Sequence, residues 1–120
     1  MAQETSIDCL VLVVEDELLI ALDLCEKLDE LGYGVMGPAQ SVGKALRLLE
    51  TGTPDAALLD ENLSGNSVTP VAEALRERHI PFFIVSGYDS PQSNDPALAG
   101  ARRLPKPASM EAIRQALAEL

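Results

Sequence analysis

Ala56-Ala57-Leu58-Leu59-Asp60-Glu61-Asn62 is the stretch on which the reading of this chain turns. Four consecutive apolar residues suit a strand buried on both faces, and the run stops abruptly on an acid. The pattern recurs three times. Val11-Leu12-Val13-Val14 stops on Glu15-Asp16, and Phe82-Phe83-Ile84-Val85 stops on Ser86-Gly87. A shorter segment from Arg102 to Pro105 stops on Lys106-Pro107. Strand ends thus deliver three acids, a hydroxyl and an amine. In an open α/β sheet, ligands bind outside the carboxyl ends of the strands.

Helical patterns separate these strands. Residues 16–31 read as a helix with Leu18, Leu22, Cys25 and Leu28 turned inward, closed by Gly32. A short strand over 33–36 is expected to stop at Gly37-Pro38. Ser41 caps a second helix through residue 50, with Val42, Leu46 and Leu49 inward. Residues 62–66 read as a polar loop. Thr69-Pro70 opens a third helix that ends near His79, and Pro81 starts the fourth strand. Residues 88–95 carry no apolar stripe. A weak fifth strand over 101–104 precedes a last helix with Met110, Ile113, Leu117 and Leu120 inward. Strand and helix alternate five times, which implies a parallel sheet covered on both faces with right-handed crossovers.

The bulk numbers narrow the function. The 120 residues, 47% of them apolar, suffice for one domain over 1–120 and leave no room for a second. No apolar run approaches the ~20 residues that span a bilayer. The polar, acidic start lacks a signal-peptide pattern, so a cytoplasmic location is expected. Nine basic residues face nineteen acidic ones, a net charge of −10. That field repels nucleic acid and anionic membranes, so neither is an expected partner. Cys9 and Cys25 match no metal or disulfide pattern and read as small hydrophobes.

If the first and third strands are neighbours, Glu15, Asp16 and Asp60 converge. Three close carboxylates raise one another's pKa, and a divalent cation relieves the repulsion. An all-oxygen set with room for water suits Mg²⁺. Lys106 balances charge and can pair with a phosphoryl oxygen, while Ser86 adds a donor from the other side. A carboxylate nucleophile, a cation, an amine and a hydroxyl around one point suit phosphoryl transfer to Asp60. Glu17 reads as a first-turn acid favoured by the helix dipole, and His79 as structural.

Over essentially its whole length the chain resembles a bacterial response-regulator receiver domain. The resemblance rests on Glu15-Asp16-Glu17, Asp60, Ser86-Gly87 and Lys106-Pro107, in this order and at these intervals. It implies a flavodoxin-like (βα)5 fold with strand order 2-1-3-4-5. It implies a phosphoryl group passed to Asp60 from a phosphohistidine on a partner histidine kinase. It also implies Mg²⁺ held by Asp16, Asp60 and the main-chain carbonyl of Asn62, with Glu15 acting through water, and a cis Lys106-Pro107 bond. Asp60-Glu61-Asn62-Leu63-Ser64-Gly65 and Pro81-Phe82-Phe83-Ile84-Val85-Ser86-Gly87-Tyr88 resemble an alphaproteobacterial subgroup with a Phe-Ala-Thr-Gly-Tyr-like fourth strand. Its members are often single-domain and work with kinases of the HWE or related type.

One departure stands out. Most receivers carry an aromatic switch residue three positions before the lysine, and here that position is Arg103. The usual coupling of hydroxyl and aromatic cannot operate, which makes Tyr88 a substitute candidate and residues 86–103 the region expected to change. The resulting reading is a signalling phosphoacceptor, not an enzyme, that binds an unknown downstream protein. A phosphate sink draining a shared kinase fits equally. A rival class, an Mg²⁺-dependent aspartyl phosphohydrolase, usually has a second acid two residues after the nucleophile, where this chain has Asn62.

Overall fold

The computed structural model describes residues 9–63, 65–87, 96–98 and 100–120. Five parallel strands form one sheet: β1 (Leu10–Val14), β2 (Gly34–Ala39), β3 (Ala56–Asp60), β4 (Phe82–Ser86) and β5 (Arg102–Pro105), in the order β2-β1-β3-β4-β5. Four α-helices are described: α1 (Leu18–Glu30), α2 (Val42–Thr51), α3 (Thr69–Glu77) and α4 (Met110–Ala118). A 3₁₀ turn at Pro96–Leu98 precedes β5. This is the flavodoxin-like α/β arrangement and strand order that the sequence implied.

Strand alternation sorts the core into two halves. Leu12, Val14, Ala57, Leu59 and Ile84 pack with Ala45 and Leu49 of α2 and Val71 and Leu75 of α3. Val11, Val13, Leu58, Phe83 and Val85 pack with Leu24 and Leu28 of α1 and Ile113 and Leu117 of α4. All five residues of β3 are buried, which is why its sequence shows no polar alternation. Burying one Leu or Ile side chain in such a core contributes about 1.5–3 kcal/mol.

The inward stripe of α1 differs from the expected one. The helix starts at Leu18 with Glu17 as its extended N-cap, so Asp16 lies in the preceding loop. Ala21, Leu24 and Leu28 are buried, whereas Leu18 and Leu22 are about half exposed, at 54% and 50%. Both stripes obey three- and four-residue spacing and share Leu28. At about 100° per residue they lie roughly a quarter turn apart, and packing on the sheet selects one of them. Leu19, at 81% exposed, lies beside the exposed pair. Leu120, expected on the inner face of the last helix, lies beyond the end of α4 and is exposed, while Ala116 joins Ile113 and Leu117 in the buried set.

The second strand does not stop at Gly37-Pro38 but runs through it to Ala39. It is an edge strand, where proline is tolerated, and its register with β1 shifts between Leu12 and Val14. Gly37 has φ +101°, and a Cβ there would stand 2.7 Å from the Ala39 nitrogen. The Gly37-Pro38 and Lys106-Pro107 peptides are cis. In place of the expected loop over 62–66, Asn62 stands opposite Ser67 and Leu63 opposite Asn66 in a short antiparallel pairing. Helix α3 begins one residue before Pro70 and ends at Glu77, and His79 takes φ 60° in the turn beyond it. The expected Ser41 cap forms, its side chain accepting from the Lys44 main-chain N–H at 3.2 Å. Thr69, expected to cap α3, is instead its first residue, with Val68 at the N-cap, and Ser109 caps α4 by accepting from the Ala112 N–H at 3.0 Å. Cys9 and Cys25 are free and partly buried, and burial raises both thiols.

No helix among the described residues is long and apolar enough to cross a membrane.

Candidate functional site

The site is assembled by register. Val14 of β1 is level with Leu59 of β3, so Glu15 and Asp60 arrive side by side at the carboxyl rim. Each continues the alternation of the core half covered by α1 and α4. Ser86 of β4 is level with Pro105 of β5, and the Lys106 N–H donates to the Ser86 carbonyl at 3.0 Å. That bond ties the start of the Lys106 turn to the end of β4.

The side chains then meet. Ligand atoms of Glu15, Asp16 and Asp60 all lie within 4.8 Å of one another. Lys106 Nζ donates to Asp60 Oδ1 at 3.1 Å and stands 3.2 Å from Glu15 Oε1. The Glu17 N–H donates to Glu15 Oε2 at 3.1 Å. Asp60 keeps only 8% of its side chain exposed and Glu15 only 1%.

Burial sets the electrostatics. Desolvation pushes Glu15 up to about 7, with the Asp60 charge adding to it, while the Glu17 N–H and Lys106 oppose it. Burial alone would lower Lys106, but the hydrogen bond to Asp60 and the charges of Asp60 and Glu15 more than offset this and its pKa rises. The ammonium therefore stays charged and holds the acids together.

The residues fit a hard divalent cation. Glu15 Oε1 is buried and has no hydrogen-bond partner among the described residues; its 3.2 Å approach to Lys106 is a charge contact only. Among the described residues Lys106 contacts Glu15 and Asp60, and every ligand atom of the three-acid cluster is oxygen. Such an oxygen-only set would suit Mg²⁺, which needs no thiol or imidazole ligand.

The other expected site residues fall as follows. Ser86 stands at the rim at the end of β4, half-buried. Asn62 opens the ribbon two residues beyond Asp60. Tyr88 lies outside the described residues. Arg103 is engaged: its Nη1 and Nη2 donate to Glu61 Oε1 and Oε2 at 2.7 and 3.1 Å, a forked pair with side chains 21% and 12% exposed. The role of Glu61 was not legible beforehand. Opposite charges 42 residues apart give no local signal. Only the β3-β4-β5 register brings them across one strand from each other.

Comparison with known proteins shows the family. The response regulator receiver domain family matches residues 11–118. The solution structure of SdrG from Sphingomonas melonis Fr1 is 39% identical with a TM-score of 0.79, covering 94% of this chain and 95% of that one. The BeF3-activated conformation of SdrG from Pseudomonas melonis Fr1 is 42% identical with a TM-score of 0.75, covering 91% and 92%. The transcriptional regulatory protein PdtaR of Mycobacterium tuberculosis is 32% identical over 79 residues, which is 65% of this chain but 38% of PdtaR. This chain belongs to the response regulator receiver domain family, whose members are phosphoacceptors of two-component signalling rather than enzymes and receive phosphate from histidine kinases.

Proposed function

We propose that Asp60 is the phosphoacceptor of this receiver. One observation carries the reading: Asp60 lies at the carboxyl end of β3, inside the acid cluster and bonded to Lys106 at 3.1 Å. In the transfer, an Asp60 carboxylate oxygen forms a bond to phosphorus. The phosphorus–nitrogen bond of the donor phosphohistidine breaks, and its electron pair stays on the ring nitrogen, which takes up a proton. Lys106 holds the Asp60 carboxylate in place and meets charge that builds on the phosphoryl oxygens. Ser86 offers its hydroxyl from β4. Asp16, Asp60 and the Asn62 carbonyl are the groups that would hold Mg²⁺, with Glu15 behind them. The ion would neutralise the cluster and polarise the phosphoryl group.

The likeness of residues 60–65 and 81–88 to the Phe-Ala-Thr-Gly-Tyr-like subgroup supports a kinase of the HWE or related type. The output is the binding of a downstream protein. The net charge of −10 argues against nucleic acid in that place.

Incubation with acetyl phosphate and Mg²⁺, read by intact mass, tests the reading. Wild type is expected to gain the mass of one phosphoryl group and Asp60→Asn none. Equal labelling of both proteins would place the acceptor elsewhere.

A further inference from the structure

Lys106 covers the acceptor from one side, and a second cation stands on the other. Arg103 is level with Ile84, whose side chain belongs to the core half under α2 and α3. Lys106 reaches Asp60 on the half under α1 and α4. Glu61 is the residue next to the acceptor, and its pairing with Arg103 spans from the end of β3 to β5. The strand between them is β4, which ends at Ser86. The ion pair is therefore a strap across the end of β4, anchored one residue from Asp60. It occupies the place where receivers of the usual pattern have an aromatic side chain.

We propose that Arg103 is the residue that reports phosphorylation: it leaves Glu61 and closes on the phosphoryl group from the face opposite Lys106. The driving force is charge. A carboxylate offers one negative charge, whereas a phosphoryl group brings about −1.5 to −2 and three strong acceptor oxygens. The planar guanidinium binds either group in the same forked manner, so the exchange needs no new kind of contact. The competing groups hang from adjacent residues, so the guanidinium has a short way to travel. Loss of the strap removes this link between β5 and Glu61, the residue that leads into the 62–63/66–67 ribbon. Phosphorylation is thereby converted into a rearrangement of the surface beside the site.

The inference rests on Asp60 being the acceptor, and the experiment separates the two claims. The ¹⁵N-labelled full chain is treated with acetyl phosphate and Mg²⁺, and intact mass is taken from the same tube. The Arg103 Nε–Hε resonance, assigned by its loss in Arg103→Met, is expected to shift on phosphorylation of wild type and to stay put in Asp60→Asn. Arg103→Met, which keeps Asp60 and Lys106, lacks the strap before phosphorylation. The amides of 62–67 are then expected to start near the positions that phosphorylated wild type reaches. Full mass gain with an unmoved Arg103 resonance would overturn this inference and leave the acceptor standing. No mass gain in wild type would overturn both.

Discussion

The two ends of the sheet handle charge in opposite ways. At the carboxyl rim, Glu15, Asp60 and Lys106 are crowded into a space that water barely reaches. At the amino rim, Arg76 and Arg102 lie 5.2 and 5.7 Å over the rings of Phe82 and Phe83. Arg102 also pairs with Glu119, and both side chains are at least half exposed. Charges at the open rim are solvated and paired, so they cost little and contribute little. Charges at the closed rim are desolvated and incompletely matched. One buried oxygen of Glu15 has no hydrogen-bond partner among the described residues. A rim in that condition is less stable alone than with a cation, and that is how a binding site differs from a structural ion pair.

The largest effect that follows is all-or-none. Asp60→Asn should abolish phosphoryl labelling, whereas neutralising Arg102 at the other end should leave it intact. Labelling of the Asn variant would remove the contrast at its root. Next in size is Lys106→Met. It removes one electrostatic stabiliser of the transfer and should slow acetyl-phosphate labelling by about 10²-fold. An unchanged rate would mean that the ammonium only holds the acids together.

Magnesium comes third. At about 100 times its dissociation constant it should stabilise wild type by about 2.7 kcal/mol in urea melts, and Asp16→Asn should lose most of that gain. A gain retained by the variant would place the cation away from the cluster.

Glu15→Gln comes fourth, and its sign is opposite to that of an ordinary loss of contact. The amide keeps an acceptor for the Glu17 N–H and removes a desolvated charge. Metal-free protein should therefore become more stable by about 1 kcal/mol at neutral pH. The pH dependence follows from the same shift. Glu15 rises from 4.5 to about 7 in the fold, so the folded state holds the extra proton between those values. This contribution is full below 4.5, falls as pH rises through the window, and is level above about 7. Melts in chelator for wild type minus Glu15→Gln should show that slope, and a flat difference would contradict it.

The smallest effect belongs to the open rim. Arg102→Ala should cost under about 1 kcal/mol, the sum of an exposed pair and a weak ring contact. A loss above about 2 kcal/mol would show that this end too depends on its charges.

Much of this was legible in the chain. The three apolar runs became β1, β3 and β4 because strands buried on both faces admit no polar residue, and the shorter segment 102–105 became the edge strand β5. The acids and amine that end those runs met at one rim because parallel strands all point the same way. The misreadings have a common cause. Leu18 and Leu22 satisfy helical spacing as well as Ala21 and Leu24 do, and only contact with the sheet distinguishes the two stripes. Gly37-Pro38 looked like the end of a strand. It lies within one because β2 sits at the edge, where a missing N–H leaves no gap in the ladder.

From residue order alone came the identity of the rim residues and the chemistry they suit, since strand period and run ends are local properties. The fold settled which of them are buried and what each one touches. Glu15 shifts because 1% of its side chain meets solvent, and Arg103 has Glu61 as its partner because β4 lies between their strands. Distances across a twisted sheet depend on every crossover at once, and no short stretch of chain encodes them.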